Sequence, residues 1–159
     1  LLSGGGIITV FVISGALGGI IGGHLSDRVG RKAVIRITLV LCVPFLYGFV
    51  KASGPLSVVL LALAGMFLNA NASVVVAMAQ ELIPENVGTA SSIVMGLAWG
   101  IGGLLVVFFG MAAEQWGTAA ALTTLSIIPL VASFCAFFLP ETYGAKLQAL
   151  AVRGQQEPQ

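Results

Sequence analysis

What this 159-residue chain has least of is charge: Asp, Glu, Lys and Arg together make up 8% of it, against about 25% in soluble domains. With 58% hydrophobic residues and a mean hydropathy of +1.06, that scarcity excludes an ordinary soluble domain and points to an integral membrane protein. Polar chemistry is equally thin. Around the single histidine, His24, no Ser/His/Asp arrangement, paired carboxylates or metal-ligand set can be assembled, so neither an enzyme nor a metal or cofactor site is expected. His24 itself reads as an interfacial residue with no part in moving protons. Both cysteines, Cys42 and Cys135, fall inside apolar runs, where a thiol behaves as a small hydrophobe, and no disulfide is expected. Seven bases nearly balance six acids, and the one basic cluster abuts apolar sequence, which excludes nucleic acid as a partner and leaves membrane lipid. A basic segment leading into a short apolar core and a cleavage site is also missing, so no secretory signal is read.

What is present is a set of five apolar runs, each near the ~20 residues that cross a bilayer as a helix. They fall near residues 1–23, 33–50, 55–80, 87–113 and 117–139, and none carries a charge in its interior. The fold class expected is therefore all-α, a polytopic membrane helix bundle of about five transmembrane helices, followed by a polar cytoplasmic tail over 140–159. Pro44 and Pro129 lie within runs and predict kinks rather than ends, because neighbouring helices in a membrane re-satisfy the freed carbonyls. Arg28, Arg31, Lys32, Arg36, Lys146 and Arg153 fall on one side of this threading and Lys51 alone on the other. Cytoplasmic loops carry the Lys/Arg excess, so the first loop and the C-terminus are expected in the cytoplasm and the N-terminus outside, with Trp116 an aromatic of the outer interface.

Local spacing adds three readings. Gly15, Gly19 and Gly23 fall on one stripe of the first helix and Gly18 and Gly22 on its neighbour; small residues at this spacing let helices approach closely in lipid, and smooth seams of the same kind would also let helices slide. Asp27 sits at the end of its helix, where the dipole favours a cation, so it calls for an outside partner, either another helix N-terminus or an arginine. Asn69, Ser73 and Gln80 fall within about 40° of one another at about 100° per residue, with Asn71 nearly opposite, while Ser92, Gly96, Trp99 and Gly103 share a face of the fourth helix. Polar groups inside membrane helices face the bundle or a water-filled cavity, so Asn69, Ser73 and Trp99 are candidates for solute contact; helix-to-helix hydrogen bonding for the asparagine and core packing for the tryptophan are the competing uses.

The pattern Gly23-x-Leu25-x-Asp27-Arg28-x-Gly30-Arg31-Lys32 closely resembles the signature loop of the major facilitator superfamily, which joins the second and third helices of each six-helix half. Three further helices follow the second here, so the resemblance implies that residues 1–139 are a partial C-terminal six-helix bundle lacking its first helix. The stretch Ala79-Gln80-Glu81-Leu82-Ile83-Pro84-Glu85-Asn86-Val87-Gly88-Thr89-Ala90-Ser91-Ser92 with Gly96-Leu97-Ala98-Trp99-Gly100-Ile101-Gly102-Gly103 looks like the loop and eleventh helix of the fosmidomycin-resistance-type efflux subgroup. Leu139-Pro140-Glu141-Thr142 is similar to the end of helix twelve in many facilitators, sugar porters included. The resemblance implies a multi-pass protein of the plasma membrane, the inner membrane in bacteria. Its function would be secondary active transport by alternating access, as proton-coupled efflux of a small polar or drug-like solute. Gly23, Asp27, Arg28, Gly30, Arg31 and Lys32 would then form a gating loop, and the partners would be the N-terminal half of the same transporter and the solute. Glu81 and Glu114, at membrane ends, suit a gate or topology role better than proton carriage. An importer of sugars or organic anions and a non-transporting membrane scaffold are the alternatives.

Overall fold

The computed structural model describes residues 4–139. The expected tail over 140–159, with Lys146 and Arg153, lies outside the described residues. Among those residues there is no strand. The helices are α1 (Gly4–Val29), α2 (Arg31–Lys51), α3 (Pro55–Leu82), α4 (Val87–Trp116), α5 (Thr118–Leu125) and α6 (Ile128–Cys135). Helices α1 to α4 and the composite Thr118–Phe138, made of α5, α6 and a final tight turn, are each long and apolar enough to cross a membrane.

Two boundaries differ informatively from the sequence reading. The stretch expected as a ten-residue loop is almost all helix: α1 runs on to Val29, α2 starts at Arg31, and Gly30 alone separates them. Charge marks where a helix leaves the apolar layer, and a helix can cross that boundary with its backbone bonds intact. Gly30 makes the turn with φ 107 and ψ 145, a region open in practice only to glycine. Its N–H donates to the Ser26 carbonyl oxygen at 3.1 Å and its own carbonyl accepts from the Val34 N–H at 3.3 Å. The fifth span is broken rather than bent, with a turn between Leu125 and Ile128. Pro129 has no N–H for the Leu125 carbonyl, and Ile127 bonds back to Thr124 at 3.1 Å instead. Pro44, by contrast, lies within a continuous α2.

Helix α3 is the centre of the bundle, packed on one side by α1 and on another by α2, with α6 closing onto α2. The α1 seam is built from absent side chains. A Cβ on Gly18 would overlap the Met66 backbone carbonyl, one on Gly22 would lie 2.6 Å from the Ala70 Cβ, and one on Gly65 would lie 2.7 Å from the Phe11 ring. Gly23, expected on one stripe with Gly15 and Gly19, lies off the seam with nothing within 4 Å of its Cβ position. The α2 side packs larger groups: Val34, Ile35, Leu39, Val74, Met78 and Ala136 form one buried cluster, and the Phe45 and Phe67 rings stack at 5.5 Å. Lipid tails are as apolar as these side chains, so close packing supplies most of the cohesion. Helix α4 is tied to α3 near its start, where the Gln80 amide donates to the Ser91 hydroxyl, and turns into α5 through Gly117. Its middle is left open, and Gly96, Gly100 and Gly103 have nothing within 4 Å of their Cβ positions.

Candidate functional site

Arg31 gathers the ends of three helices. It is the first residue of α2, its side chain is 7% exposed, and its guanidinium reaches three oxygen-bearing side chains. Toward α3 it grips Glu81 as a fork, with Nη2 to Oε1 at 2.9 Å and Nε to Oε2 at 3.3 Å. Toward α1 it pairs with Asp27 through Nη2 and Oδ1 at 2.7 Å, while Nη1 donates to the Ser26 hydroxyl. Ser26 is fully buried and its hydroxyl donates to the Gly23 carbonyl at 2.8 Å. The positive φ of Gly30 is what permits this: the chain reverses in one residue, so a side chain starting α2 faces the last turn of α1.

The partners are unequal. Asp27 is 55% exposed and its pairing with Arg31 is screened by water. Glu81 is 19% exposed, and its two parallel bonds form the stronger, geometrically specific arrangement. The outside partner that the helix dipole demands of Asp27 is thus an arginine, but it comes from the start of α2, four residues on, rather than from a facing element. Arg28 is exposed in the last turn of α1, where a cation suits the helix end. Lys32 points the other way and donates to the Phe137 carbonyl at 2.6 Å, tying α2 to the fifth span.

The polar residues chosen from helix periodicity converge elsewhere. Asn69 and Ser73 of α3 and Trp99 of α4 line one open cleft of about 570 Å³ between those helices, together with Val76, Met95 and Ala98. Trp99 is 78% exposed and forms one wall. Asn69 spends its amide on the Gly65 carbonyl of its own helix at 3.0 Å, and its side chain lies against Gly15 of α1. Gln80, on the same stripe, ties α3 to α4 by donating to the Ser91 hydroxyl at 2.8 Å. Asn71, placed opposite by periodicity, borders both this cleft and a smaller one against α2 and α6, and its buried Oδ1 has no hydrogen-bond partner. The arrangement can hold a solute between an aromatic face and a few hydrogen-bonding groups. Among the described residues no group of His, Cys, Asp or Glu could hold a metal ion.

That Glu81 and Ser26 complete the Arg31 cluster is not among the expectations from the sequence. The available signal was that Asp27 and Glu81 are the only carboxylates in the first 84 residues.

The family model of the Major Facilitator Superfamily matches residues 2–157. The chain is 36% identical over 133 residues to the uncharacterized MFS-type transporter YfnC of Bacillus subtilis (strain 168), covering 84% of this chain and 32% of that protein. It is 31% identical over 131 residues to the fosmidomycin resistance protein of Escherichia coli (strain K12), covering 82% of this chain and 32% of that protein. It thus spans about a third of the length of these relatives. With five apolar spans and the signature residues set at one turn, the chain belongs to the Major Facilitator Superfamily, a family of membrane transporters rather than enzymes.

Proposed function

We propose that these residues form part of the C-terminal half of a secondary transporter, one that exports a small polar or drug-like solute by alternating access in exchange for protons. The observation that carries this reading is the cleft between α3 and α4, where Asn69, Ser73 and Trp99 meet in about 570 Å³. Its size and its few polar groups on an apolar wall are those of a small-molecule site, and transporter sites lie between helical repeats near the membrane midplane. Similarity to a protein named for fosmidomycin resistance supports export and a small polar cargo. No Asp, Glu, Lys, Arg or His lies in the middle of a span, so a protonation switch belongs to a part of the transporter outside these residues. The Lys/Arg asymmetry supports a cytoplasmic Arg31 cluster and, with bacterial relatives, the inner membrane.

In this reading Arg31 holds the cytoplasmic ends of α1, α2 and α3 together, so that they rock as one body while α4, loosely joined, lines the moving side. The test uses the full-length protein in inside-out vesicles, with fosmidomycin as the first probe and a proton gradient as the driving force. Saturable uptake is expected. Trp99→Ala and Asn69→Ala should each raise KM by roughly tenfold, the loss of about 1.4 kcal/mol of contact, with the protein still inserted. Uptake that is saturable but indifferent to both substitutions would remove the cleft from the solute path.

A further inference from the structure

Arg36 takes no part in the solute cleft described above. It lies five residues into α2, about 7.5 Å along the axis from Arg31, at the depth where headgroups give way to acyl chains. A charge there must snorkel or be paired. Arg36 does neither fully: its guanidinium carbon stands 4.8 Å from the centroid of the Phe137 ring, its Nε is buried without a hydrogen-bond partner, and among the described residues no carboxylate pairs with it. Stacking on an aromatic face leaves the guanidinium's edge available for a planar, bidentate acceptor such as a phosphate. One turn nearer the membrane surface, Lys32 is held beside it by its bond to the Phe137 carbonyl at 2.6 Å. From these two cations an apolar groove of about 400 Å³ runs between α2 and the fifth span, past Ile37, Val40 and Leu41. Those three side chains are 54%, 48% and 40% exposed and face away from the α1–α3 seam.

We propose that this groove binds one anionic glycerophospholipid, its phosphate on the Arg36 guanidinium with Lys32 alongside and an acyl chain lying along Ile37, Val40 and Leu41. Charge complementarity selects the headgroup, and the apolar groove continuing from the cations selects a lipid over a free anion. The bound lipid would bridge α2 and the fifth span beside the Lys32–Phe137 bond that already joins them. The proposal rests on placement of the bundle in a membrane and not on the solute or the direction of transport.

The test is native mass spectrometry of the full-length protein released from vesicles of phosphatidylethanolamine and phosphatidylglycerol, with phosphatidylcholine as the zwitterionic comparison. One phosphatidylglycerol should persist under activation that strips phosphatidylcholine. Arg36→Gln should lower its retention about fivefold, the effect of one basic residue near anionic lipid. Val40→Trp, which fills the groove and keeps the charge, should lower it similarly, and it decides the matter if Arg36→Gln fails to fold. Glu141→Gln should leave retention unchanged. Equal retention of both lipids would mean an ordinary annulus, displacement by soluble glycerol phosphate would mean a bare anion site, and a several-fold rise in Glu141→Gln would make that carboxylate the partner of Arg36. Each of these, or unchanged retention in both Arg36→Gln and Val40→Trp, would overturn the proposal.

Discussion

Replacing Arg31 by glutamine should lower stability by about 3–5 kcal/mol, the cost of breaking a buried ion pair from one side. The reason is the environment of Glu81. At 19% exposure its carboxylate takes two parallel bonds from Arg31, and the substitution removes both where little water can replace them. Asp27, at 55% exposure, can return to solvent, so Asp27→Asn should cost only about 0–1 kcal/mol. Removing both members of the inner pair, as Arg31→Leu with Glu81→Leu, should be milder than the sum of the single changes, because no uncompensated charge remains. Denaturant unfolding of the full-length protein in detergent micelles, run as a double-mutant cycle, reads these differences. Additive losses, or an Asp27 effect as large as that of Arg31, would show that the cluster is not organised around Glu81.

The second large effect is expected at Gly18, where alanine should destabilise by up to about 3 kcal/mol, the upper end of the usual cost of overpacking. A methyl there meets the Met66 backbone carbonyl, which cannot rotate away, so α1 and α3 must separate along the whole seam. Gly19→Ala supplies the comparison: its Cβ would lie 2.9 Å from the Ser73 hydroxyl, the tip of a side chain that can turn aside. The same unfolding measurement should therefore rank Gly18→Ala well below Gly19→Ala in stability. Equal effects would mean that the seam slides freely enough to absorb a methyl, which is the use of a glycine stripe that the tight packing here argues against.

Residue by residue, what could be read from the sequence divides along physical lines. The five spans were legible because length and the exclusion of charge are properties of single segments. The course of the chain from Gly23 to Arg31 was misread as a loop because charge reports the membrane boundary, whereas helix continuity depends on backbone bonding that only Gly30 interrupts. Asn69 and Ser73 could be placed on one face from helical periodicity alone. That Trp99 faces them depends on the placement of α4 against α3, which no periodicity encodes. Glu81 reads from the sequence as an acid at a membrane end, but its pairing with Arg31 spans fifty residues and needs the register of α2 on α3. That register comes with the packing of Val34, Ile35 and Leu39 on Val74 and Met78 and is invisible to a reading of residue types.

The most direct test of the central claim, that the α3–α4 cleft belongs to an alternating-access path, is the reactivity of one cysteine at Ser73. The position is exposed in the cleft, and the full-length protein would otherwise be free of cysteine, Cys42 and Cys135 included. An impermeant thiol reagent should label Ser73→Cys from the cytoplasmic face in inside-out vesicles and from the outer face in intact cells. Fosmidomycin should slow both reactions, since a path that alternates exposes one site to each side in turn. Labelling from neither side, or labelling that the solute leaves unchanged, would contradict the account.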